Sequence, residues 1–179
     1  RDVKRWQVTP QDLWLIFTRR GILIGDYPAI KAHLMMFKDQ LTPKPASWSE
    51  RTDGAWHGRK AGSYEWFHIQ DNIAYWEEFE KPKIFVPAIE SHVRYAADQT
   101  GFYGNDKTNI IIHDNWRYLL AILNSSISWW FTQQTFSGKQ GGFFEFKPMY
   151  VSKVPVANHT HEQKHLLETL VDSIMQSTE

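Results

Sequence analysis

Leu13 to Phe17 form an unbroken apolar run between Asp12 and Thr18, closed by Arg19-Arg20-Gly21, a pattern that predicts a buried core strand followed by a turn. Asp26-Tyr27-Pro28 then supplies a cap and an early-turn proline. Ile30, Leu34, Phe37 and Leu41 recur at helical spacing up to Pro43, which predicts a helix over about 27–41. From Thr42 to Tyr64 neither period persists, and prolines, glycines, cations and isolated aromatics make a long loop. Compact domains seldom keep more than about 15 structureless residues without a use for them, so this loop is a candidate for binding.

Strands are expected over 64–70, over 81–87 with Pro82 and Pro87 marking its limits or an edge position, and most clearly over 109–113. Between the last two, Arg94-Tyr95 and Asp98 to Lys107, with Gly101 and Gly104, read as a hairpin or loop. Asp114-Asn115 can cap a helix from about Trp116 to Phe131, with Leu119, Leu120, Leu123, Ile127, Trp130 and Phe131 on one face. Ser137 to Gly142 breaks regularity, and 143–147 alternates weakly like a strand. Thr160 and Gln163 form a capping box for a last helix, whose apolar face is Leu166, Leu167, Leu170, Val171, Ile174 and Met175. The sum is an α+β fold with a mixed or mainly antiparallel sheet, flanking helices, long loops and a terminal helix, without internal repeats.

Composition narrows the class. At 179 residues, 21.1 kDa and 42% hydrophobic, the chain suits one domain with a substantial core, and 15% aromatic content excludes a disordered one. With no cysteine there is neither a disulfide framework nor a thiolate metal site, and a cytoplasmic location is the default expectation. Mean hydropathy is −0.49, and the longest strongly apolar run, 118–123, falls far short of the roughly 20 residues of a membrane span. The opening at Arg1, without Met or an apolar leader, reads as a piece of a longer polypeptide. Net charge is zero but unevenly spread: residues 1–60 hold 11 Lys/Arg against 6 Asp/Glu, and residues 61–90 hold 2 against 6. Attraction to a polyanion must therefore be local.

Candidate chemistry is sparse. His161 and His165 stand four apart on a helical face, as zinc ligands can, but no third ligand is identifiable and the capping box already accounts for the segment. Glu145-Phe-Lys147 resembles half of a magnesium nuclease site without its second acidic partner. Ser137-Gly-Lys-Gln-Gly-Gly142 lacks the order of a phosphate-binding P-loop, and no Gly-x-Ser-x-Gly elbow or cysteine nucleophile exists. What remains is polar loops bearing Arg, Lys, Asn, Gln and aromatic rings, which fit phosphates and base edges, or alternatively a carbohydrate or protein interaction platform without DNA binding.

Three blocks occur in a characteristic order: Tyr27 to Leu41 followed by a polar stretch to Gly58-Arg59; Trp66 to Gln70 running into Phe79 to Pro87; and Tyr118 to Ser125, then a glycine-bearing loop and Tyr150 to Pro155. Together they resemble the TaqI-like C-terminal specificity domain over roughly residues 10–157. The resemblance implies a target-recognition domain over 1–157 and an amphipathic helix over 158–179 that packs on it or extends from it, as spacer helices do in Type I specificity subunits. It further implies double-stranded DNA as partner, and an adenine-specific methyltransferase or Type IIG restriction-modification enzyme as parent. The methyltransferase domain, with its Asn-Pro-Pro-Tyr-type motif, S-adenosylmethionine and any magnesium site, would belong to the remainder of the polypeptide, leaving this chain without catalytic residues, cofactor or metal of its own.

Within that reading Arg51, Arg59, Lys60, Lys107 and Lys139 are the cationic candidates for reading guanine O6/N7, and Asn105, Gln133 and Gln140 the amide readers. Trp56, Tyr64 and Tyr103 would pack on sugar or base edges. Trp14, Trp116, Trp129 and Trp130 are expected to be structural, and Lys81 and Lys83 solvated strand flanks as readily as contacts.

Overall fold

The computed structural model describes residues 2–177; Arg1, where the reading of a cut start begins, lies outside the described residues. In chain order the elements are β1 (Trp6–Gln7), α1 (Pro28–Met35), α2 (Lys38–Leu41), α3 (Glu50–Asp53), β2 (Lys83–Pro87), β3 (Ile89–Glu90), β4 (Ala96–Asp98) and β5 (Thr108–Ile111). They continue with α4 (Trp116–Leu123), α5 (Ser126–Thr135), β6 (Gly138–Lys139), β7 (Phe143–Glu145), α6 (Pro148–Val151) and α7 (His161–Ser177). The fold is α+β, as the pattern implies. The chain forms two compact units, one of Arg1–Leu13 with Tyr75–Glu179 and one of Trp14–Ala74.

The first unit holds a four-stranded sheet in the order β1-β4-β2-β5, in which β1 runs parallel to β4 while β2 is antiparallel to both its neighbours. Every residue of β2 is buried, which accounts for its continuous rather than alternating apolar run. Because β2 is interior, its prolines bound the strand and do not mark an edge. A smaller antiparallel sheet, β3-β7-β6, is tied to the first at Ala88, whose N–H donates to the Lys107 carbonyl and whose own carbonyl accepts from the Phe146 N–H. Trp116, Leu120 and Leu123 of α4 join Ile84, Val86, Tyr95 and Phe146 in the core. The capping box at Thr160 and Gln163 closes in both directions, at 2.9 and 3.2 Å. α7 packs on α4 and β1 through buried Val171 and an Arg117–Asp172 ion pair of 2.7 Å, leaving Leu166 and Leu170 exposed.

The helix expected over 116–131 is two. Asn124 is wholly buried and its side chain spans the Tyr95 backbone, accepting from the N–H at 3.0 Å and donating to the carbonyl at 2.8 Å. Ser125 then takes an extended backbone and caps α5 by accepting from the Ser128 N–H at 3.2 Å. The new start rotates the face, so that Ser128 and Thr132 are buried while Ile127 and Trp130 are exposed. Trp116 and Trp129 do pack in or against the core; Trp130, 61% exposed, does not.

The second unit contains α1, α2 and α3 with irregular chain between and around them. The helix expected over 27–41 divides at Met36–Phe37, where three-residue backbone turns replace α-helical ones. The segment 64–70 is a turn and not a strand, closed by the His68 N–H on the Glu65 carbonyl. Leu13 to Phe17 joins no sheet: Leu13 is 85% and Trp14 92% exposed, which corrects both the expected core strand and the structural role of Trp14. The run lacks alternation, so its sequence specifies extension without specifying a partner. Ile24 is the unit's one buried apolar residue among the described residues, so hydrogen bonds carry much of its order.

Two substitutions at one place test this account of the first unit. Asn124→Ala strands the Tyr95 N–H and should cost about 2 to 4 kcal/mol. The Tyr95 hydroxyl is buried with no partner among the described residues, and Tyr95→Phe should be neutral or stabilising by about 1 kcal/mol. Urea unfolding of both variants reads the contrast.

Candidate nucleic-acid interface

The residues singled out as DNA contacts fall into three groups. Tyr103, Asn105 and Lys107 lie on the loop between β4 and β5. Gln133 is exposed in the last turn of α5, and Lys139 with Gln140 occupies the β6–β7 hairpin. Arg51, Trp56, Arg59, Lys60 and Tyr64 belong to the other unit.

The first loop is built on a buried cross-strand ion pair. Lys83 and Asp98 face each other in the β2–β4 register with side chains 0% and 1% exposed and Nζ 2.5 Å from Oδ2. Lys83 is therefore a core residue and not a solvated strand flank. Its ammonium also donates to the Phe79 carbonyl. Asp98 accepts from the Thr100 N–H and hydroxyl at 2.8 and 2.7 Å and from the Phe102 N–H at 2.8 Å, so one carboxylate folds the start of the loop. Burial pushes that carboxyl up, but the hydrogen bonds from Lys83 and Thr100 outweigh it and hold Asp98 below the usual aspartate range. Further along, Tyr103 stacks on Phe79 at 4.9 Å and donates to Glu80 at 2.6 Å. Gly104 passes so close to Thr108 and Phe85 that a Cβ there would lie 2.3 Å from the Thr108 hydroxyl. Asn105 accepts from the Lys107 N–H at 3.0 Å, and the exposed Lys107 ammonium pairs with Asp106 at 2.6 Å.

The hairpin turns at Gly141 and Gly142, both with φ near +80°, a region closed to most side chains. Lys139 and Lys147 grip one carboxylate, Glu145, at 2.9 and 2.8 Å, and their hydrogen bonds, Lys147 first, hold it below the usual range. The pairing gives Glu145 and Lys147 a structural use, and among the described residues no three His, Asp or Glu side chains gather as a metal site. Gln133 and Gln140 are exposed.

In the second unit Arg51 is exposed on α3, and Lys60 pairs with Asp71 at 3.3 Å. Trp56 is half-buried, edge-on to Trp48 at 4.9 Å, with its indole N–H on the Thr42 carbonyl. Arg59 donates to the carbonyls of Leu41, Trp66 and His68 at 2.6, 2.7 and 2.7 Å. Tyr64 donates to the Lys60 carbonyl, and its ring takes two guanidinium groups, Arg59 at 4.9 Å and Arg20 at 5.0 Å. Arg20 in turn donates to the carbonyls of Ile69 and Gln70. Sequence reasoning passed over Arg20, His68 and the Lys83–Asp98 pair. The last carried a readable signal only in opposite charges that become cross-strand neighbours once the β2–β4 register is known.

An apolar cleft of about 310 Å³ in the first unit, lined by Val86, Ile110, Leu119, Phe146 and Val151 among others, has Asn109 and Ser152 as its polar groups and no titratable one. Among the described residues no helix is long and apolar enough to cross a membrane.

The family model for the TaqI-like C-terminal specificity domain matches residues 1–156, and the chain belongs to that family. No curated protein matches it. Membership carries a DNA-recognition role in restriction-modification enzymes. The match ends before α7 begins.

Asp98→Ala leaves the Lys83 ammonium buried and unpaired and should cost about 3 to 5 kcal/mol, whereas Lys83→Met with Asp98→Leu should recover most of that. A carboxyl with a depressed pKa stabilises the fold above its unfolded value and loses that contribution as pH falls through the folded one. The urea midpoint of the unmodified chain should therefore drop on acidification below about pH 4, and that of Asp98→Asn should drop less.

Proposed function

We propose that this specificity domain reads a short duplex DNA sequence and holds the target adenine where a methyltransferase domain of the same polypeptide flips and methylates it. The parent would be a Type IIG restriction-modification enzyme or an adenine-specific methyltransferase working in the cytoplasm. S-adenosylmethionine, and magnesium where the parent also cleaves DNA, would bind in that other part. The observation that carries the reading is the family match over 1–156.

The structure supports a division of labour among the candidates. Arg51, Lys60, Lys107, Gln133, Lys139 and Gln140 present their polar ends at the surface, where a groove can reach them. Lysines paired with single exposed carboxylates, as Lys107 with Asp106 and Lys60 with Asp71, exchange partners at little cost because exposed pairs are weak. Ala88 joins Lys107, at the end of its loop, to Phe146, which follows the hairpin strand β7, so the two loops can approach DNA as one body.

The test is selection from a randomised duplex pool across a salt series. A short enriched motif is expected, with affinity falling steeply as salt rises; absence of both would overturn the reading. Gln133→Ala and Gln140→Ala should each relax preference at one base pair by roughly 1 to 3 kcal/mol. Lys139→Ala should weaken all sequences alike and reduce the salt slope by about one.

A further inference from the structure

We propose that Arg20 and Arg59, both set against the Tyr64 ring, form with His68, whose carbonyl accepts from Arg59, a phosphate site that takes one phosphodiester of the DNA backbone. The proposal rests on the DNA-binding reading above, and it moves Arg59 from base reading to backbone anchoring while adding two residues to the interface.

The argument begins with unbalanced charge. The lysines of this unit that form ion pairs do so conventionally, Lys44 with Glu50 at 2.8 Å and Lys60 with Asp71 at 3.3 Å. Neither Arg20 nor Arg59 has a carboxylate within salt-bridge distance among the described residues. Both arginine residues are nevertheless partly buried, and their guanidinium groups lie against the same tyrosine ring, at 5.0 and 4.9 Å. Their partners are backbone carbonyls of Leu41, Trp66, His68, Ile69 and Gln70, which orient the groups but neutralise nothing. Two like charges are thereby fixed close together with their positive field uncancelled, an arrangement that costs free energy until an anion arrives.

Donors remain for that anion. A guanidinium carries five N–H bonds; Arg59 commits three to carbonyls and Arg20 two, and a planar, weakly hydrated fork suits phosphate oxygens. His68 lies in the same field. Burial lowers its pKa first, and Arg20 and then Arg59 push it lower still against the opposing pull of Glu65. Its Nδ1 accepts the Glu65 N–H at 3.1 Å, which leaves Nε2 as the position for a proton. Burial and Arg20 likewise lower Arg59, against the pull of Tyr64. A phosphodiester, singly negative, brought here offsets the positive field of both guanidinium groups. Because every contact is to charge and none to a base edge, the site anchors without discriminating.

The experiment has two arms. In the first, the His68 imidazole of the unmodified chain is titrated by NMR alone, with saturating duplex DNA, and with inorganic phosphate against chloride at equal ionic strength. The expected result is an upward shift of its pKa with DNA, since a nearby anion favours the imidazolium. In the second arm Arg20→Gln, which keeps an amide donor for the Ile69 carbonyl, is compared across a salt series. Affinity should fall about equally for preferred and random duplexes, base preference should stay, and the salt slope should drop by about one. DNA binding with an unmoved His68 and an unchanged slope would overturn the site while leaving the DNA-binding reading intact, and would reduce the arginines to braces. Should the chain bind no DNA, that reading falls by itself. The phosphate arm then decides the site: a shift specific to phosphate retains it as a phosphate site, and no shift overturns it.

Discussion

A lysine and an aspartate sealed between two strands govern the first unit. Lys83 lies in the middle of the four-stranded sheet, where an ammonium is tolerable only with a counter-charge in contact, and the β2–β4 register delivers Asp98 to it. That constraint propagates outward. The same carboxylate gathers Thr100 and Phe102, so the polypeptide leaving β4 is shaped by an electrostatic demand in the core rather than by its own turn residues. The candidate DNA loop therefore inherits rigidity from the sheet, which is what a reading surface requires if its side chains are to discriminate bases.

The second unit achieves order by other means. With Ile24 as its one buried apolar side chain among the described residues, it relies on arginines that staple irregular chain through carbonyl groups. Backbone carbonyls are neutral partners, so stapling leaves the cationic charge in place, and a structural economy becomes an electrostatic property of the surface. The unit carries eight Lys/Arg against six Asp/Glu, a small excess that acts through its concentration beside Tyr64 rather than through its size.

How far the sequence spoke depended on the kind of signal. Periodicity and capping chemistry are local, and β2, β5, the hairpin strand and the capped terminal helix follow from them. Asn124 broke the expected long helix because its partner, the Tyr95 backbone, lies 29 residues away, and no window along the chain contains both. The misreading of Lys83 has the same origin: burial of a charge is decided by what stands opposite. For the interface, residue type and loop position identified surface cations and amides, and the family blocks supplied the DNA context. Arg20 went unnoticed because it closes an apolar run and reads as a turn flank; its importance arises only when segment 64–70 folds back beside it.

The stretch from Leu13 to Ile16 has a consequence for how this polypeptide behaves in concentrated solution. Four large apolar residues stand exposed outside any helix or strand, the type of window that seeds intermolecular β-pairing. Asp12 on one side and Arg19 and Arg20 on the other place charge at both borders, where it opposes the stacking of copies in register. Arg20 thus stands where colloidal behaviour and ligand chemistry meet, and a chain that neutralised it would give up a gatekeeper as well as a cation.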